Sequence, residues 1–270
     1  MLNSEKPIGV FDSGIGGLTV VKKLQASLPN ERIIYFGDTA RVPYGAKSND
    51  IITEYAIQDA DFLINKNVKM IIVACNTVSS VALNILRARY SVPVIGMIEP
   101  GTDLALSSTE NNKIGVIGTY STIRNKAYSK MLTAKNPDVE VYEKACPLFV
   151  PLAEEGWTDH KATYLIAREY LSELCEKNID TLILGCTHYP ILSDVIQEVV
   201  GEDVKLIDSG TAAAATIEKH PELEELLSKK IIEGNHEYYV SDLPVKFKTI
   251  AERFLGRTIE NVEKIDPEHL

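Results

Sequence analysis

Cys75 and Cys186 stand where a thiol can act as a reagent. Each closes an apolar run, Met70-Ile71-Ile72-Val73 before the first and Leu182-Ile183-Leu184-Gly185 before the second. Each is followed by small polar residues, Asn76-Thr77 and Thr187-His188, and then by a helical pattern. Such a position lies near a helix N-terminus, where unpaired backbone N–H groups and the helix dipole favour an anion. A free thiol titrates near ~8.5, and this setting can lower it by about a unit or more. Two thiols on opposite sides of one carbon acid can remove a proton from one face and deliver another to the other. One must be thiolate while its partner is thiol, and they exchange roles with the direction of reaction. This is general acid–base chemistry by a matched pair. The plain alternative for a cysteine is a small buried packing residue, which is how Cys146 and Cys175 read.

Polar clusters follow other apolar runs as well, at Asp12-Ser13-Gly14, Gly37-Asp38-Thr39 and Thr119-Tyr120-Ser121-Thr122. Asp12 can orient the thiol on its side or simply cap a helix. His188, two residues beyond Cys186, can hold that sulfur as a thiolate or serve as a structural histidine. Asn76, Thr77 and Thr187 either cap helices or leave donors free for a carboxylate, which helix N-termini bind readily. Tyr44-Gly45 falls in a Pro/Gly turn, at the surface or beside a ligand. Two rival motifs are weaker. Asp12-Ser13-Gly14-Ile15-Gly16-Gly17 with Asp38 further on resembles a dinucleotide fingerprint, but Thr19 occupies the third glycine position. A zinc site from Cys75, Cys186, His188 and Asp12 is chemically allowed but lacks the paired local spacing of zinc sites.

The elements that must carry these residues alternate. Strand-like runs at Ile8–Phe11, Ile33–Phe36, Met70–Val73 and Val92–Ile95 are separated by helical spacings. These are Leu18, Val21, Leu24 and Leu28; then Ile52, Ala56, Ala60 and Leu63; then Val78, Val81, Ala82 and Ile85. Continuous apolar strands joined by amphipathic helices predict mostly parallel sheets covered on both faces. Three blocks then recur in order. Residues 8–13 match 114–119, residues 71–77 match 182–188, and residues 92–95 match 204–207, at offsets of 106, 111 and 112. The middle block puts a cysteine at the strand end in both copies. The expected fold is therefore α/β, with two similar doubly wound, mostly parallel-sheet domains facing each other across a cleft. The first domain comprises 1–98 plus 208–270, and the second 99–207. Glu237-Tyr238-Tyr239-Val240 and a short helix from Val245 to Phe254 are too small to fold alone and should pack back onto the first half. In open parallel sheets ligands bind beyond the carboxyl ends of the strands, where these clusters lie.

Length and composition agree. At about 150 residues per domain, 270 residues suggest two. A chain that is 45% hydrophobic and 24% charged is not intrinsically disordered. With Lys+Arg 28 against Asp+Glu 38, the net charge of −10 disfavours nucleic acid as the main ligand. An anionic small ligand remains allowed if local groups overcome that charge. No apolar run reaches the roughly 18 residues of a membrane span, and the first residues show no signal core. A cytoplasmic protein with four reduced thiols is the expectation. The missing leader counts against a two-lobed ligand-binding module of the periplasmic type.

Four segments together carry a resemblance: Asp12–Leu18, Gly37–Gly45, Ala74–Thr77 and Leu184–Pro190. Through them the chain resembles the glutamate racemases, cofactor-independent amino-acid racemases of bacterial cell-wall synthesis, over essentially its whole length. The resemblance implies that Cys75 and Cys186 are the acid/base pair, assisted by Asp12, His188 and a further residue matching Glu154. It implies substrate contacts from Asp12-Ser13, Tyr44-Gly45, Asn76-Thr77, Thr187-His188 and the hydroxyls of Thr119 and Thr122. It also implies glutamate as substrate, no cofactor, no metal, a frequent homodimer, and D-glutamate supply for peptidoglycan.

Overall fold

The computed structural model describes residues 3–231, 236–243, 247–259 and 261–267. Its strands are β1 (Ile8–Asp12), β2 (Ile33–Gly37), β3 (Met70–Val73), β4 (Val94–Ile95), β5 (Lys113–Gly118), β6 (Glu140–Ala145), β7 (Thr181–Gly185), β8 (Lys205–Asp208), β9 (Glu237–Val240) and β10 (Val262–Lys264). They form two sheets, in the orders β10-β9-β2-β1-β3-β4 and β6-β5-β7-β8. Every pairing is parallel. The sequence repeat is thus a repeat of topology. β1 and β5, β3 and β7, and β4 and β8 hold equivalent places in a common order, and β2 corresponds to β6.

Alternation of side chains across the pleat explains how the sheets are covered. On β1, Ile8 and Val10 enter one apolar cluster while Phe11 enters another. On β3, Met70 and Ile72 join the first and Ile71 and Val73 the second. The first cluster continues into Leu182, Leu184 and Tyr189, so one core runs from the first sheet into the second. Near the C-terminus, β9 pairs with β2 of the first sheet. The helix Phe247–Leu255 packs against the helix Leu18–Ser27. Positions 245 and 246, at the start of the helix expected there, lie outside the described residues.

Two expectations need correction. The fourth strand is shorter than Val92–Ile95. Pro93 has no N–H to donate, so the ladder begins at its carbonyl, which accepts from Ile71 N at 2.9 Å. The helix expected through Val78 to Ile85 is two helices, Asn76–Val81 and Leu83–Arg89, broken at Ala82. Val78, Ala82, Leu83 and Leu86 face inward, and Ile85 is exposed.

Candidate active site

The strand ends place the reactive side chains. Cys75 follows β3 and is the N-cap residue of the helix Asn76–Val81. Cys186 directly follows β7, in the equivalent place of the second sheet. Both sulfurs line one cavity of about 170 Å³. Ser13, Tyr44, Gly45, Asn76, Thr77, Thr119, Glu154, Thr187 and His188 share its wall, and Ile15, Val42, Pro43 and Val150 supply apolar surface. Polar residues that the sequence spreads from Ser13 to His188 therefore converge. Asp12 and Thr122 stand just behind the lining. Asp12 is fully buried; its carboxylate accepts from Gly14 N at 3.1 Å and from Thr187 Oγ1 at 3.4 Å. Thr122 Oγ1 lies 3.1 Å from Thr119 Oγ1 and 3.3 Å from Thr77 Oγ1, and Thr77 and Thr119 are 2.9 Å apart. Three hydroxyls from two halves thus close a hydrogen-bonded ring across the cleft.

The two thiols sit in different surroundings. Cys75 Sγ is 3.3 Å from Ser13 Oγ. Burial, then the nearby Asp12 charge, pushes its thiol up to about 12, against weaker help from Ser13 and the Val78 N–H. The helix N-terminus expected to acidify this sulfur is outweighed by the loss of water around it. On the other side, Cys186 Sγ lies 3.9 Å from His188 Nδ1, and His188 Nε2 lies 2.9 Å from Glu154 Oε1. Burial alone would lower His188, but its contacts with Cys186 and Glu154 prevail and raise it to about 10. At neutral pH it is an imidazolium, able to donate from both nitrogens. Cys186 departs from expectation in its setting: it precedes a short 3₁₀ turn, Tyr189–Leu192, rather than opening an α-helix. Burial also raises Asp12, against the opposing pull of the His188 charge and the N–H groups of Gly17 and Gly14.

Asn76 is held from both halves. Its Oδ1 accepts from Tyr128 Oη at 2.7 Å, and its Nδ2 donates to Ser209 Oγ at 3.2 Å. Tyr44, read as part of a turn, is buried, and its hydroxyl donates to Asp38. Cys146 packs in the core and Cys175 is half-buried; all four cysteines are free. Among the described residues no three His, Cys, Asp or Glu side chains converge as a metal site. Residue-level reading missed the partners of Tyr44 altogether. One of them, Asp59, had left a signal: it falls on the apolar stripe of Ile52, Ala56, Ala60 and Leu63, where a carboxylate needs a reason.

Two parallel-sheet halves with matched cysteines on one cavity define a racemase architecture. The chain belongs to the Asp/Glu/Hydantoin racemase family of isomerases, whose sequence model matches residues 8–217. Within that family its relatives include the glutamate racemase of Geobacter metallireducens, 51% identical over 97% of this chain and 97% of the relative. The crystal structure of glutamate racemase from Francisella tularensis in complex with D-glutamate matches with a TM-score of 0.92 and 44% identity, covering 100% of both chains. The enzyme from Thermus thermophilus in complex with β-chloro-D-alanine matches with a TM-score of 0.88 and 43% identity, covering 99% of each chain.

Proposed function

We propose that this protein is a glutamate racemase that interconverts L- and D-glutamate by a two-cysteine proton transfer at the α-carbon. The observation that carries the reading is the opening of Cys75 and Cys186 onto one small cavity from equivalent strand ends. Glutamate lies with its α-carbon between the sulfurs. A thiolate takes the α-proton and becomes a thiol, and the electron pair moves into the α-carboxylate. The opposite thiol gives its proton to the other face and becomes a thiolate, so protons and charge balance over the turnover. Cys75, with its raised pKa, rests as the thiol. His188 and Glu154 relay and steady the proton beside Cys186, while Asp12 and Ser13 attend Cys75. The donors of Asn76, Thr77, Thr119 and Thr187, with Thr122 behind them, hold the carboxylates. Preorganised donors of this kind commonly contribute most to the rate of such reactions. They also offset the overall negative charge locally.

The same reading makes residues 1–98 plus 208–270 and 99–207 the two domains whose approach expels water from the substrate. It places the protein in the cytoplasm as a homodimer supplying D-glutamate for peptidoglycan. Support comes from the curated relatives named glutamate racemase and from the D-glutamate complex of the Francisella enzyme. The test is turnover of each enantiomer in deuterated buffer. Wild type should racemise and incorporate solvent deuterium at the α-carbon. Cys75→Ala and Cys186→Ala should each lose at least the ~10²–10⁴ in rate that a positioned acid or base contributes, and Cys175→Ala should keep most activity. Undiminished racemisation in either of the first two variants refutes the two-base assignment.

A further inference from the structure

The loop that carries Tyr44 and Gly45 to the cavity is anchored by buried polar groups that take no part in the proton transfer. Asp38, just past β2, and Asp59, in the helix Asn49–Asn65, are both fully buried. Asp38 is richly supplied with donors. Its Oδ2 accepts from Arg41 Nε at 2.6 Å and from the Tyr44 hydroxyl, and its Oδ1 accepts from Ser241 Oγ at 2.7 Å. Asp59 has less: Oδ1 accepts from Arg41 Nη2 at 3.0 Å, and Oδ2 lies 3.3 Å from Tyr44 Oη. A tyrosine hydroxyl has one proton. That of Tyr44 lies on its shorter contact, to Asp38. The contact between Tyr44 Oη and Asp59 Oδ2 then has a donor only if Asp59 supplies it. One guanidinium also cannot neutralise two buried carboxylates.

We propose that Asp59 is a positioning residue: a neutral carboxylic acid that donates to Tyr44 Oη and so fixes Tyr44 and Gly45 for substrate binding. A chain of hydrogen bonds then runs from Asp59 through Tyr44 to the Asp38 carboxylate, with Arg41 bracing both ends. Burial, then the charge of Asp38, holds Asp59 well above the usual carboxylate range, against the pull of Arg41. The fixed loop sets Gly45 against Thr119 of the facing half. A Cβ at Gly45 would come within 2.8 Å of Thr119 Cβ, so the fit has little slack.

The role of Asp59 rests on the proposed glutamate racemase activity, in which Tyr44 and Gly45 touch substrate. Asp59→Asn keeps an acceptor for Arg41 and an N–H donor for Tyr44. It should leave KM for glutamate within about twofold of wild type. Asp59→Leu has similar size but no polar atom. It should raise KM about five- to tenfold, the scale of one lost hydrogen bond, with kcat nearly unchanged. A merely structural role would lower the melting temperature without that split between KM and kcat. The infrared spectrum should show, at neutral pH, a neutral carboxylic acid carbonyl band that Asp59→Asn removes. A KM in Asp59→Asn raised several-fold, a wild-type KM in Asp59→Leu, or no loss of that band overturns the proposal. If Asp59→Leu does not fold, Asp59→Asn and the infrared difference decide. If wild type fails to turn over glutamate, the functional reading fails, while the infrared difference still reports on the Asp59 proton.

Discussion

At the scale of single residues, the two sides of the cleft are unlike. Cys75 faces a hydroxyl and a buried carboxylate; Cys186 faces an imidazolium braced by Glu154. The asymmetry is readable through linkage. His188 is raised from 6.5 to about 10 in the folded chain. A base raised on folding adds stability that is complete below its unfolded pKa and is lost as pH climbs through the folded one. Stability should therefore fall between about pH 6.5 and 10. Glu154→Gln removes one of the two partners, so its fall should begin at the same pH but end at a lower one. The difference between variant and wild-type melting temperatures, taken point by point, isolates the part of this linkage that depends on Glu154. A constant difference across that range would rule the linkage out. At this scale the cysteines, His188 and the threonines were legible because their types follow apolar runs. Glu154 entered only through the family resemblance, and Asp59 was marked by its place on an apolar stripe but not by its partners. A carboxylate on a helix carries no mark of its partner when that partner is fifteen or more residues away.

At the scale of elements, the glycine-rich turn after β1 sets how closely the halves meet. Gly16 lies under the Thr187–His188 segment. A Cβ there would stand 2.3 Å from Thr187 Oγ1 and 2.5 Å from His188 Nδ1. Gly16→Ala must therefore displace the side chain that attends Cys186. Overpacking of this kind costs about 1–3 kcal/mol. Racemisation should drop at least tenfold, and the melting temperature should fall by a few degrees. Wild-type rates in purified Gly16→Ala would show that the turn tolerates the methyl and that the contact is not tight. The glycines of this turn read in the sequence as a broken dinucleotide fingerprint. The observed role of Gly16 is close approach between halves, which only the facing chain can explain. The break at Ala82 was equally hidden, since every residue from Val78 to Ile85 suits one continuous helix.

At the scale of the whole molecule, ligand binding should tie the halves together. A ligand at about one hundred times its Kd adds ~2.7 kcal/mol of stability. Calorimetry with saturating glutamate should show a shift of that order, and a dinucleotide should show none. The reverse result would revive the nucleotide reading. Among the described residues no helix is long and apolar enough to cross a membrane. Periodicity and the repeat determined by themselves that two parallel α/β halves would form and that a cysteine would end the same strand in each. That information is local: side-chain alternation and helical spacing act over a few residues, and duplication copies them. Only the tertiary structure decided that both sulfurs share one cavity, that Cys75 is kept a thiol, and that the Tyr44 loop hangs on Asp38, Asp59 and Arg41. Those outcomes depend on burial and on charges brought together from distant parts of the chain, and no spacing in the sequence encodes the loss of water around them.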